Sequence, residues 1–133
     1  MKLRFINAEA LDKTLKASIH SNGRLGFSSE AAIKMGLSTE QSIGFSTDDD
    51  NPNERILYAE VYPNQQEGAF RVYKAGNYFY LSTKDLFDTL KYDYADGYFV
   101  FVISKEVIEG KTFYKFKHRV NNKIKKNEET QMG

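Results

Sequence analysis

Apolar and polar residues alternate along this chain in short stretches with a period close to two. Between Thr14 and His20, Leu15, Ala17 and Ile19 fall on one side and Lys16, Ser18 and His20 on the other, which predicts a half-buried strand. Ser21-Asn22-Gly23 supplies residues that tolerate positive φ, so Arg24 to Phe27 returns as the partner strand with Leu25 and Phe27 together. The period then changes. Ser28 or Ser29 can cap a helix over Glu30 to Met35, because a serine hydroxyl satisfies a free N–H of the first turn. Ala32, Ile33 and Leu37 would cover the core, and Gly36 ends the helix. Ser42 to Thr47 and Arg55 to Tyr62 read as a second hairpin around the polar loop 48–53. Upstream, residues 2–6 alternate weakly as a first strand, and residues 7–13 fit a turn or a short helix.

Residues 63–68 contain no apolar side chain and read as a linker, after which the same order of elements returns. Ala69 to Tyr73 is a strand, Lys74 to Gly76 a turn, Asn77 to Leu81 a strand, and Ser82 or Thr83 the cap of a helix from Lys84 to Leu90. Tyr98 to Ile103 is a continuous apolar run rich in aromatic and β-branched residues, which predicts a strand buried on both faces. A long hairpin loop through Glu106 and Gly110 leads to a last strand, Thr112 to His118. Sliding the sequence by 53 residues lays 16–37 on 69–90 without a gap. Gly23 meets Gly76, Ser29 meets Ser82, Leu25 meets Tyr78, Phe27 meets Tyr80 and Leu37 meets Leu90, all at positions a fold would constrain.

The expected fold is therefore α+β and β-rich. Two fused ββαββ repeats, about 14–62 and 69–118, would pack about a pseudo-two-fold axis as a small barrel or interlocked sheets with two short helices. The 133 residues suit one domain, taken as 1–119, followed by a mobile polar tail over 120–133. No apolar run nears the roughly 20 residues needed to cross a bilayer, and no signal peptide precedes the first strand, so a cytoplasmic protein is expected.

Composition narrows the chemistry. The absence of cysteine removes disulfides, zinc ribbons, iron–sulfur clusters and thiol nucleophiles. Two histidines, His20 and His118, stand without the partners of a triad or a metal site and read as surface strand residues. Asp48-Asp49-Asp50 lacks the ligand spacing of a calcium loop, and no glycine-rich phosphate loop occurs. No enzyme, metal or cofactor is expected. The net charge of +1 is uneven. Residues 111–133 hold seven Lys or Arg against two Glu, a net of +5, which leaves −4 for residues 1–110. Lys111, Phe113, Lys115, Lys117 and Arg119 alternate onto one face of the last strand, which would either track phosphates or guard an exposed sheet edge. Tyr73, Tyr78, Phe79 and Tyr80 gather on the second hairpin with Lys74 in its turn. The alignment with Leu25 and Phe27 puts Tyr78 and Tyr80 in the core, leaving Phe79 and Tyr73 as the groups that would stack on bases.

Ile19-His20-Ser21-Asn22-Gly23-Arg24-Leu25-Gly26-Phe27, followed by the helix from Glu30 to Gly36, then Leu37 and the strand from Ser42, resembles the AbrB/MazE/SpoVT swapped-hairpin domains. The resemblance covers about 30 residues per half. It implies intertwined hairpins that contact DNA through their turns, with Arg24 after the turn glycine and Lys34 on the helix. The chain departs from that pattern in having Phe27-Ser28 where the family has Ile-Pro, and Asn77 where Arg24 stands in the first half. The expected function is a nucleic-acid-binding or transcription-regulator-like module. Arg24, Lys34, Lys74, Lys115, Lys117 and Arg119 would contact phosphates of DNA or a single strand, and Phe79 or Tyr73 would stack. The alternative is a protein–protein interaction domain without nucleic acid.

Overall fold

In a computed structural model, the structure describes residues 1–5, 15–52, 54–95 and 99–119. The region 7–13, the first residue of the apolar run (Tyr98) and the tail 120–133 lie outside the described residues. Among those described are nine strands and two helices. The strands are β1 (Leu15–Ile19), β2 (Arg24–Phe27), β3 (Ser42–Ser46), β4 (Ile56–Tyr62), β5 (Phe70–Arg71), β6 (Tyr73–Ala75), β7 (Tyr78–Ser82), β8 (Phe99–Ile108) and β9 (Lys111–Arg119). The helices are α1 (Ser29–Met35) and α2 (Lys84–Thr89). The first strand expected over 2–6 is not formed at its described residues, 2–5. Leu3 and Phe5 are exposed there, so the weak alternation has no sheet to bury its apolar side.

All nine strands join one antiparallel sheet in the order β5-β3-β4-β9-β8-β1-β2-β7-β6. Its two outermost strands are consecutive in the chain and separated by one residue, the fully buried Val72. The Val72 N–H donates to the Gln41 carbonyl beside β3, and on its far side Tyr73 pairs with Tyr80 of β7. The sheet is thus a nearly closed, barrel-like surface. The expected single strand 69–73 is broken because its first part serves one edge and its continuation the other.

The inward positions of the strands fill one core. Ile19 pairs with Leu25 across β1 and β2, and both are fully buried. Phe116 of β9 meets Phe27 and Phe45 edge-on at 6.2 and 5.6 Å between ring centres, the favoured arrangement for aromatic pairs. Helix α1 adds Ala31, Ala32 and Met35, and its N-cap Ser28 accepts the Ala31 N–H at 3.2 Å. Helix α2 adds Phe87, which lies against Tyr92 and Phe101. Its N-cap Thr83 makes no side-chain capping bond.

Several local expectations change. The stretch 63–68 is no free linker, since the Ser42 hydroxyl donates to the Asn64 carbonyl at 2.7 Å and accepts the Gln66 N–H at 3.0 Å. No long loop separates β8 from β9. Glu109 and Gly110 both take positive φ (52° and 77°) and close a two-residue turn, so pairing runs out to Ile108 and Lys111. β8 is buried on one face only, with Val100 and Val102 half-covered on the other. Strand β9 lies between β4 and β8, so its lysines do not guard an edge. No helix among the described residues is long and apolar enough to cross a membrane.

Candidate nucleic-acid interface

The pleat of β7 decides what the second hairpin shows to solvent. Leu81 is fully buried, and period two carries Phe79 to the same inward side, where it packs against the core. Tyr78, Tyr80 and Ser82 therefore point outward. The 53-residue alignment predicts the reverse. The core-facing positions are Leu25 and Phe27 in β2 but Phe79 and Leu81 in β7, an offset of 54, and the N-caps Ser28 and Thr83 are 55 apart. The cause is the turn. Three residues, 21–23, separate His20 from Arg24, which the His20 N–H to Arg24 carbonyl bond joins, whereas only Gly76 and Asn77 separate the paired Ala75 and Tyr78. A one-residue slip exchanges the two faces of a strand.

The outward tyrosines of β6 and β7 form a ladder that reaches over β2. Tyr73 of β6 and Gly26 of β2 flank Tyr80 in register. Tyr73 and Tyr80 stack at 5.5 Å between ring centres with planes 18° apart, and Tyr80 and Tyr78 at 6.0 Å and 20°. The Arg24 guanidinium lies 4.7 Å over Tyr80, and that of Arg71 lies 5.6 Å over Tyr73. Neither arginine meets a carboxylate among the described residues. Tyr78 crosses β2 above Gly26, where a Cβ would fall 1.4 Å from its hydroxyl, and that hydroxyl is hydrogen-bonded to Nε2 of His20. Burial raises the Tyr78 phenol above its ordinary value, with the Arg24 charge partly offsetting it, so the group is a neutral hydroxyl at physiological pH. Tyr73 and Tyr78, at the two ends of the ladder, remain 39% and 37% exposed, and Tyr80 between them is half-buried.

Of the residues singled out from sequence, Arg24 and Tyr73 meet on this face. Phe79 and Lys74 do not. They pair on the inward side of the hairpin, with the Lys74 ammonium 5.4 Å over the Phe79 ring, and Phe79 walls a shallow apolar groove with Ala32, Ile33 and Leu37 of the α1 region. Lys34 is exposed in the last turn of α1. Lys115, Lys117 and Arg119 lie on the outward face of β9, which three strands (β8, β1 and β2) separate from β7. Lys111 is tied to Glu60 at 2.9 Å, and the same carboxylate accepts the Tyr62 hydroxyl at 2.8 Å. Sequence reasoning passes over His20, Arg71, Tyr78 and Tyr80 as site residues. The signal for the two tyrosines is Leu81, whose aliphatic side chain fixes the phase of β7.

His118 is not a plain surface residue. Its ring stacks on buried Phe99 at 3.9 Å, Arg55 lies over Phe99 and over Tyr92 beside it, and burial followed by the Arg55 charge lowers its pKa below the ordinary 6.5. In the acidic loop, Asp48 accepts the Asn51 amide at 3.0 Å and the Asp50 N–H at 2.9 Å, and these bonds hold its carboxyl below the ordinary range. Among the described residues no three His, Asp or Glu side chains converge as metal ligands. No family model, curated protein or solved structure matches this chain.

Proposed function

We propose that the protein binds single-stranded nucleic acid on the tyrosine face of β2, β7 and β6. The observation that carries this reading is the outward ladder Tyr73–Tyr80–Tyr78, exposed at its two ends, with an arginine over each of its first two rings. Flat, solvent-open rings on a rigid sheet accept bases of any sequence by stacking, and adjacent guanidinium groups meet the phosphates that accompany them. A duplex hides its base faces, so unpaired strands are preferred. Binding is tested by anisotropy of a labelled dT15 at 50 and 200 mM salt. Tyr80→Ala and Tyr73→Ala each weaken binding by about 1–3 kcal/mol, and Arg24→Ala flattens the salt dependence by about 0.7 in log–log slope. Absence of binding by the folded wild type at 50 mM salt removes the reading.

We infer as well that the barrel is a fused pair of ββαββ halves related by a pseudo-two-fold axis, the arrangement the likeness to swapped-hairpin domains implies. Three features support it. Each half runs hairpin, helix, hairpin. Exchanging β1 with the run 70–75, β2 with β7, β3 with β8 and β4 with β9 reproduces the strand order read in the opposite direction around the barrel. The first hairpin's turn is held by the second helix, through the Thr83 hydroxyl donating to the Gly23 carbonyl at 2.9 Å, while Asn77 and Phe79 of the second hairpin border α1. The test is whether cutting the Thr83 bond loosens the turn of the other half, read by amide exchange at His20 and Gly23.

A further inference from the structure

The basic stripe of β9 and the tyrosine face are on opposite sides of the barrel. Going from β9 to β7, β8, β1 and β2 intervene in one direction and β4, β3 and the 70–75 run in the other. The cations of the stripe also stand outside the ion pairs of the sheet. Lys115 stands between Tyr58 and Ser104, Lys117 between Ile56 and Val102, and Arg119 beside Val100, so no carboxylate stands directly opposite any of the three; Glu106, opposite Phe113, is one step along the β8 ladder from Lys115. Glu60, on the same strand as Tyr58, is taken by Lys111. Among the described residues none of Lys115, Lys117 and Arg119 forms an ion pair. β4 and β8 hold the backbone of Lys115 and Lys117 from both sides and β8 alone holds that of Arg119, so successive cations leave the strand about 6.6–6.8 Å apart. A row of cations free of ion pairs along one strand suits a phosphodiester backbone and needs no base contact.

We propose that one molecule holds two nucleic-acid segments at once, a single strand stacked on the tyrosine face and a second segment held by its phosphates along Lys115, Lys117 and Arg119. The proposal rests on the reading of the tyrosine face as a nucleic-acid interface and adds a second, chemically different site. The tyrosine site tolerates salt through its stacking. The β9 site does not, because charge alone supports it, and its log–log salt slope is about 2 for three phosphates on a single strand.

The experiment mixes the full chain with donor-labelled and acceptor-labelled dT8 at 20 mM salt. Energy transfer is read together with the mass of the complex by sedimentation, so that pairing through two protein chains is seen directly. One chain carrying two octamers, with transfer between them, is the expected result. Lys115→Gln/Lys117→Gln/Arg119→Gln should hold one octamer without transfer. Tyr73→Ala/Tyr80→Ala should also hold one, and lose it on raising salt to 200 mM. A wild type that saturates with one octamer overturns the second site and leaves the tyrosine reading standing. A triple glutamine variant that still holds two octamers overturns the assignment to β9. Absence of any bound octamer overturns both readings. Unchanged thermal melting of each variant shows that the fold is intact.

Discussion

The hairpins β1–β2 and β6–β7 are adjacent in the sheet, yet they present different surfaces. β2 turns its large apolar residues, Leu25 and Phe27, into the core and leaves Gly26 outward. β7 turns Phe79 and Leu81 inward and sets Tyr78 and Tyr80 outward. The bare backbone of one strand is the floor on which the tyrosines of the other rest. The two strands bury apolar residues alike and differ in what they set outward, a glycine in β2 and tyrosines in β7. Hydrophobic content alone does not distinguish them, because a tyrosine has an apolar body and a polar tip and serves on either side of a sheet.

The largest effect expected from this contrast is on stability. Leu25→Ala empties a fully buried site and should cost about 2–5 kcal/mol in urea unfolding. Tyr78→Ala removes a ring that is 37% exposed and should cost distinctly less while weakening binding to dT15. Equal losses of stability from the two substitutions would place Tyr78 in the structural set and break the comparison.

A sharper test is Gly26→Ala. The added methyl carbon would stand 1.4 Å from the Tyr78 hydroxyl and 2.7 Å from His20 Nε2, so the tyrosine must leave its position and its hydrogen bond. The expected cost is about 1–3 kcal/mol, the range for overpacking. Adding Tyr78→Ala to the same chain should restore most of that loss, since the obstructing ring is gone. If the double variant is no more stable than Gly26→Ala alone, the ring is not what the glycine accommodates.

Much of the fold is legible in the sequence, and the misses share a cause. Alternation at 15–19 and 24–27, the serine before α1 and the alternating cations of β9 all translate into elements within a residue or two of the expected bounds. Each depends only on neighbours within one turn or one strand. What fails depends on partners distant in the chain. Nothing near Val72 announces that 70–71 and 73–75 will pair with different strands, and nothing in 111–119 says that the strand is central. The site is half legible for the same reason. Arg24 and Tyr73 are visible as candidates, but their convergence, and the placing of Phe79 on the other side, follow from the register between β2, β7 and β6.

The smallest expected effects separate the two helix starts, and here location is more telling than size. Ser28 satisfies its own helix by accepting the Ala31 N–H, and it also lies 3.3 Å from the Lys16 N–H. Ser28→Ala should cost about 1 kcal/mol, with faster amide exchange at Ala31. Thr83 does no such capping. Its buried hydroxyl reaches the Gly23 carbonyl, 60 positions earlier in the chain. Thr83→Val keeps the shape and removes the donor, for a loss of about 0.5–1.5 kcal/mol. The protons that become labile should be those of His20 and Gly23, whose N–H groups close the first turn onto Arg24 and His20. Similar losses appearing in different halves would show one cap acting locally and the other across the molecule. Exchange that rises only around α2 in Thr83→Val would mean that each half holds its own hairpin, and the interlocked reading would fall.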